Sequence, residues 1–236
     1  FICRAARWGL RRGMRLTFVG RAVREWFIAP AGLAGDRLVM TPAGIDPHDF
    51  FFVPEAERQA LRAKWRLAGT RLQVLFVGRF YEKKGLPLLR DVAASCPESA
   101  FTLVGQGPLD PMGWGLPNVH VKPFVTTPEL RELYGSHDIF IMPSFGEGWP
   151  AVVPQAMACG LECLISDYGV DRERFLVRPR DAKAMAAALR EVDATGAGWA
   201  QARAARAAYA AGTWNWQRTA DLYLQLFAET RAATQH

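Results

Sequence analysis

Three glycine-punctuated clusters hold the side chains whose types and spacing could do chemistry. The first runs Val77-Gly-Arg-Phe-Tyr-Glu-Lys-Lys-Gly85, with Arg79 and Lys84 five residues apart and a glycine at each end. A glycine lets backbone approach a ligand, and two cations can neutralise a diphosphate; the same two residues also read as ordinary solvated charges. The second is Leu103-Val-Gly-Gln-Gly-Pro108, where Gly105 and Gly107 suggest a close-approach loop. Its third glycine is missing, since position 110 is Asp, so the dinucleotide fingerprint fails and a nicotinamide-dependent oxidoreductase is disfavoured. The third is Pro143-Ser-Phe-Gly-Glu-Gly-Trp-Pro150, which sets Glu147 between two glycines. Ahead of a helix, that carboxylate could accept sugar hydroxyls, or simply complement the helix dipole.

Each cluster follows a short apolar run: Val74–Gly78, Phe101–Gly105 and Asp138–Met142. These runs are continuous rather than alternating, as in parallel strands covered on both faces. Further strands are expected at Leu16–Gly20, Leu38–Thr41, Val119–Val121, Cys163–Ser166 and Phe175–Val177. Helices are expected at 85–95, from the Thr127-Pro128 cap to Ser136, from Pro150 to a stop at Gly160, and after Asp181. Leu61, Trp65 and Ala68 predict an earlier amphipathic helix, and Trp216, Ala220, Tyr223 and Phe227 predict the buried stripe of a last one. Strand and helix alternate from about 72 to 190, which predicts an α/β fold with a Rossmann-like, doubly wound parallel sheet. Such sheets bind ligands beyond the carboxyl ends of their strands, where all three clusters fall.

Together these motifs, with Pro42-Ala-Gly-Ile-Asp46 and Ala156-Met-Ala-Cys-Gly160, resemble the nucleotide-sugar-binding half of a retaining GT-B-fold glycosyltransferase of family 4. The resemblance runs from about Leu38 to the C-terminus. It implies a donor domain over 49–213, preceded at 1–48 by a remnant of an acceptor-side domain with its linker, and a helix over 214–236 packing back towards the N-terminal side. It implies that Arg79 and Lys84 bind the donor diphosphate, that Glu147 lies near the donor sugar, and that Gly78, Gly105, Gly107, Gly148 and Trp149 line the donor site. Gln155 stands where the family usually has a ribose-binding Glu, and an amide is a weaker acceptor than a carboxylate. The segment between Asp167 and Leu176 is shorter than the family's Gly-Gly loop. The implied reaction moves a sugar from a nucleotide diphosphate sugar, the donor substrate rather than a cofactor, to a glycan, lipid-linked or small-molecule acceptor. The absence of an Asp-x-Asp motif agrees with a metal-independent site. A GT-B epimerase or phosphorylase, or a catalytically silent nucleotide-sugar-binding fragment, are the rival expectations.

Composition trims the remaining classes. The 236 residues are 50% hydrophobic and 22% charged, a globular balance, and the net charge is +6. All of that excess lies in residues 1–30, which hold seven arginines against Glu25 alone; no nucleic-acid-binding body is implied. Arginines interleaved with Trp8, Leu10 and Met14 fit either an exposed helix face or peripheral membrane contact through residues 1–24. The longest uncharged stretch, 148–161, is broken by two prolines, so no span is expected. Cys3, Cys96, Cys159 and Cys163 read as buried thiols, and His48, His120 and His137 as structural. A cytoplasmic location, peripheral at the inner membrane face, and a processed or partial chain opening on Phe1 complete the expectations.

Overall fold

The structure is a computed structural model that describes residues 2–28, 32–33, 37–67, 69, 71–167 and 175–233. Its centre is a six-stranded sheet built from β3 (Gln73–Val77), β4 (Ala100–Val104), β5 (Val119–Lys122), β6 (Ile139–Met142), β7 (Glu162–Ser166) and β8 (Leu176–Arg178). Every pairing in it is parallel and the spatial order is β5-β4-β3-β6-β7-β8. This is the strand order of a doubly wound Rossmann sheet, and the winding reverses between β3 and β6.

The continuous apolar runs are explained by cover on both faces. Val74, Phe76, Ile139 and Ile141 pack on one side against Leu89 and Val92 of α4 (Leu86–Ser95) and Met185 and Leu189 of α7 (Ala182–Glu191). Leu75 and Phe140 point the other way, towards α5 (Thr127–Ser136), α6 (Val152–Ala158) and α8 (Trp199–Thr213). Gly160 ends α6 at φ 96°, as its position after the helix predicts.

Several local expectations shift. The cap of α5 is Thr126 rather than Thr127; it forms a capping box with Glu129, and Pro128 sits in the first turn. The alanine-rich stretch 182–211, which follows Asp181, contains two helices, because the loop after α7 interrupts it before α8. In α3 (Glu55–Lys64) Leu61 and Trp65 face inward only partly, while Arg58 and Arg62 are buried. Asp138 explains this: one carboxylate oxygen takes Arg58 and, at 3.2 Å, Arg62, and the other accepts the Gln73 amide at 2.8 Å. Ala68, Phe1 and the shortened segment at 168–174 lie outside the described residues.

A smaller layer precedes the sheet. Strands β1 (Leu16–Phe18) and β2 (Leu38–Met40) pair in parallel, flanked by α1 (Ile2–Arg11) and α2 (Arg21–Ile28). The last helix, α9 (Trp216–Ala233), packs against this layer: Tyr223 Oη lies 3.4 Å from Thr17 Oγ1 and 3.2 Å from Thr41 Oγ1. Thr219 Oγ1 donates to the Pro42 carbonyl at 2.8 Å, and Arg15 pairs with Glu229. On α9 the buried residues are Thr219 and Leu226, each one position before the expected Ala220 and Phe227, with the expected Tyr223 half-buried between them; Trp216 and Phe227 are exposed. Hydrogen bonds from Thr219 and Tyr223 to the linker and the small sheet set the helix's rotation.

His137 is structural, in the cap of α5. Its Nδ1–H donates to the Leu133 carbonyl at 2.7 Å, which leaves Nε2 to accept from Thr102 Oγ1 at 2.9 Å. Burial, helped by Arg62 and Arg58, lowers its pKa to about 3. The folded state thus favours the neutral ring. Its contribution is complete above the ordinary value of 6.5 and is lost as pH falls from there towards 3. At pH 5 this group alone removes about 2 kcal/mol. Urea unfolding at pH 7 and pH 5 checks this: in His137→Asn the acid-induced loss shrinks by about that amount.

Candidate functional site

The carboxyl edge of the sheet gathers the three clusters around the β3/β6 reversal. From β3, the chain passes Gly78 and Arg79, makes a 3-10 turn over Glu82–Lys84, and enters α4 through Gly85 at φ 77°. From β6, it passes Pro143 to Glu147. The two loops meet directly. The Phe145 amide donates to the Lys83 carbonyl at 3.0 Å, and Lys84 Nζ donates to Glu147 Oε1 at 2.8 Å. Glu147 is the more enclosed partner, its side chain 12% exposed against 28% for Lys84. A built Cβ on Gly85 would stand 2.1 Å from the Pro143 carbonyl oxygen, so only glycine permits this approach.

Beside this pair lie three connected clefts. One of about 920 Å³ is floored by Gly78, Gly105 and Gly107 and bordered by Arg79, Tyr81 and Phe124. A second, of about 620 Å³, shares Arg79 and Tyr81 and adds Lys83 and Lys84. The third, of about 450 Å³, lies between Val23 and Trp26 of α2 and the loop from Phe145 to Gly148. The β3 and β4 loops pack backbone against backbone: the Gly78 amide donates to Val104 O, and Phe80 N to Gln106 O, each at 3.0 Å.

Most of the expected residues converge. Arg79, Lys84, Gly78, Gly105, Gly107, Glu147 and Gly148 line these clefts. Arg79 is held by Tyr81, donating to the phenol oxygen at 2.5 Å with its guanidinium 4.6 Å from the ring centroid. Trp149 instead turns to the core, edge-on to Trp214 at 5.9 Å, and is not among the residues lining the clefts. Gln155 is half-buried on α6 and accepts from Tyr134 Oη at 3.4 Å. The helix after Glu147 begins at Val152, two residues later than expected and only seven residues long, so the loop rather than the helix end holds Glu147.

Tyr81, Phe124, Phe145 and Trp26 were not singled out from sequence. Tyr81 lies inside the first motif, and Phe124 follows a run that extends one residue further than expected, to Lys122; their positions after strand ends were the available signal. Cys96, Cys159 and Cys163 are inert packing groups, since burial raises Cys96, takes Cys159 to about 12 and lifts Cys163 well above the ordinary thiol value, whereas Cys3, expected to be buried, is only partly so. A fourth cleft, about 490 Å³, lies at the opposite edge of the sheet, where Arg58 and Arg62 already serve Asp138.

A doubly wound parallel α/β sheet with paired opposite charges at its winding reversal defines the class. The family described as "Glycosyl transferases group 1" matches residues 71–193, more than half the chain, and the chain belongs to it. It is 32% identical over 168 residues to sulfoquinovosyl transferase SQD2 of Arabidopsis thaliana, covering 68% of this chain and 32% of that protein. Among solved structures it resembles sucrose-phosphate synthase of Thermosynechococcus elongatus, with a TM-score of 0.78 at 24% identity over 92% of this chain and 58% of that one. It also resembles Anabaena HepE in complex with UDP and glucose, with a TM-score of 0.75 at 17% identity over 91% of this chain and 62% of that one. The chain spans about a third to a half of the length of the curated relatives it matches.

The glycine floor yields a test. Gly105 has φ 149°, and a Cβ there would lie 1.9 Å from the Gly78 carbonyl oxygen, whereas Gly113 has open space around it. Gly105→Ala is expected to cost about 1–3 kcal/mol and lower the thermal midpoint by several degrees, with Gly113→Ala as the near-neutral control. Equal midpoints by differential scanning calorimetry would contradict the close approach.

Proposed function

We propose that the chain is the donor-binding part of a retaining, metal-independent glycosyltransferase of family 4, which moves a sugar from a nucleotide diphosphate sugar to a glycan, lipid-linked or small-molecule acceptor. The observation that carries this reading is the Lys84–Glu147 contact across the winding reversal, with Arg79 beside it. Anabaena HepE, similar in fold, was solved with UDP and glucose, which supports a nucleotide-sugar ligand for this edge of the sheet. In this reading residues 49–213 bind the donor, 1–48 belong to the acceptor side with its linker, and 214–236 return to that side.

Transfer with retention builds oxocarbenium character at the anomeric carbon while negative charge grows on the departing diphosphate. Arg79 and Lys84 meet that growing charge, a role a divalent cation plays elsewhere. Glu147 accepts hydrogen bonds from sugar hydroxyls, and Lys84 exchanges part of its contact with Glu147 for diphosphate oxygens. Gly78, Gly105 and Gly107 let backbone amides close on the nucleotide, and Gly148 lies against the start of α2, where a Cβ on Gly20 would stand 1.6 Å from its carbonyl oxygen. Gln155 is the ribose-side residue in this assignment, and Trp149 supports the sugar loop from its core side. Removing one such preorganised cation costs about 2.7–4 kcal/mol of transition-state stabilisation. Arg79→Ala and Lys84→Ala are therefore expected to slow transfer about a hundredfold or more, and to weaken UDP, GDP or ADP binding in calorimetry. Wild-type nucleotide affinity in both variants rejects the assignment.

The N-terminal layer supports a cytoplasmic-face membrane contact as part of the same reading. On α1, Ile2 and Trp8 are 65% and 55% exposed, beside the exposed arginines Arg4 and Arg11. Among the described residues no helix is long and apolar enough to cross a bilayer. Co-sedimentation with phosphatidylglycerol vesicles at low salt, lost with phosphatidylcholine and reduced in Trp8→Ala, is the expected result; equal recovery with both lipids removes the membrane contact.

A further inference from the structure

We propose that Phe124 is an aromatic shelf on which the donor's nucleobase stacks, so that affinity depends on the face of the base more than on its hydrogen-bonding edge. This rests on the donor-site reading above and assigns a side chain to its outer cleft.

Phe124 follows the end of β5 and is 79% exposed, above Met112 at 75% and the other large apolar side chains left open to solvent. An exposed phenyl ring is unremarkable when scattered on a surface; this one borders the 920 Å³ cleft. The strand order places the β5 loop next to the β4 loop, and the β4 loop next to the β3 loop. Phe124 therefore stands on one side of the glycine floor, while Arg79 and Tyr81 come from the loop on the other. Apart from Arg79 and the Tyr81 hydroxyl, Gln106 contributes the polar side chain of this lining, so few side chains are present to read a base edge. A flat apolar face is what the Phe124 side offers.

The opposite end has the opposite character. Arg79 and Tyr81 border both this cleft and the neighbouring 620 Å³ cleft, where Lys83 and Lys84 add positive charge. A ligand spanning the two needs a planar, stackable group at one end and a dense negative charge at the other. A nucleoside diphosphate has this order, with the base towards Phe124 and the diphosphate towards Arg79 and Lys84. A neutral lipid or peptide would match the ring but would bring no negative charge to Arg79, Lys83 and Lys84.

The test is calorimetric titration of the 236-residue chain with UDP, ADP, GDP and inorganic diphosphate, using the wild type, Phe124→Ala and Phe124→Trp. Base–aromatic stacking predicts that Phe124→Ala weakens all three nucleotides by about 5- to 150-fold, leaves inorganic diphosphate unchanged, and is rescued by Trp. The high exposure of Phe124 makes the variants safe for folding. Unchanged nucleotide affinity in Phe124→Ala overturns the shelf. An equal loss of inorganic diphosphate overturns it too, because the residue then acts on the loops and not on the base. If the wild type binds inorganic diphosphate as tightly as UDP, the shelf falls and the cation assignment stands. If it binds neither, both readings fall.

Discussion

Asp138 is the charge on which the architecture is hung. Its carboxylate is 2% exposed at the head of β6 and takes hydrogen bonds from Arg58, Arg62 and the Gln73 amide. Its own amide donates to Gln73 O at 2.9 Å, and its carbonyl accepts from Glu162 N at 3.2 Å. One residue thereby fixes the starts of β3, β6 and β7 and pins α3 across them. Losing one partner of such a buried set leaves an uncompensated charge and costs about 3–5 kcal/mol. Strands aligned at their amino ends deliver their loops in register at the other end. The contact between the β3 and β6 loops depends on that alignment.

At the carboxyl edge electrostatics are local. Lys84 and Glu147 neutralise one another, and Arg79 rests on Tyr81, so two of the three cations bordering the inner cleft are already engaged inside the protein. Incoming anions would compete for groups that the fold has already oriented. The advantage is preorganisation, since a cation held by a short loop and a fixed partner loses little freedom when it changes acceptor.

Much of this was readable from the chain. Continuous apolar runs ending in glycine identified strands buried on both faces, and motif positions after those runs brought Arg79, Lys84, Gly105 and Glu147 to one edge. Long-range contacts were less legible. Arg58 and Arg62 stand four apart on α3 and look like a solvated face until Asp138, far along the chain, supplies their partner. The shift in the α9 stripe has the same origin: Thr219 and Tyr223 turn to hydrogen bonds with residues near 17 and 42, which helical periodicity does not encode. Trp149 and Gln155 show that a motif fixes position better than side-chain direction. Both lie where expected along the chain; Trp149 turns to an aromatic cluster, and Gln155, half-buried, also accepts from Tyr134.

That aromatic cluster ties distant parts of the chain to one pivot. Trp214 stacks on Phe175 at 7° between planes and meets Trp149 and Tyr209 edge-on, and its carbonyl accepts the Ile45 amide at 2.9 Å. Trp149 is two residues from Glu147, Tyr209 belongs to α8, and Trp214 lies two residues before the helix that reaches the small N-terminal layer. Turning α9 as a rigid rod would unseat this indole, and with it the ring that steadies the Glu147 loop. The path from the small N-terminal layer to the carboxylate therefore runs through two indoles in contact, Trp214 and Trp149.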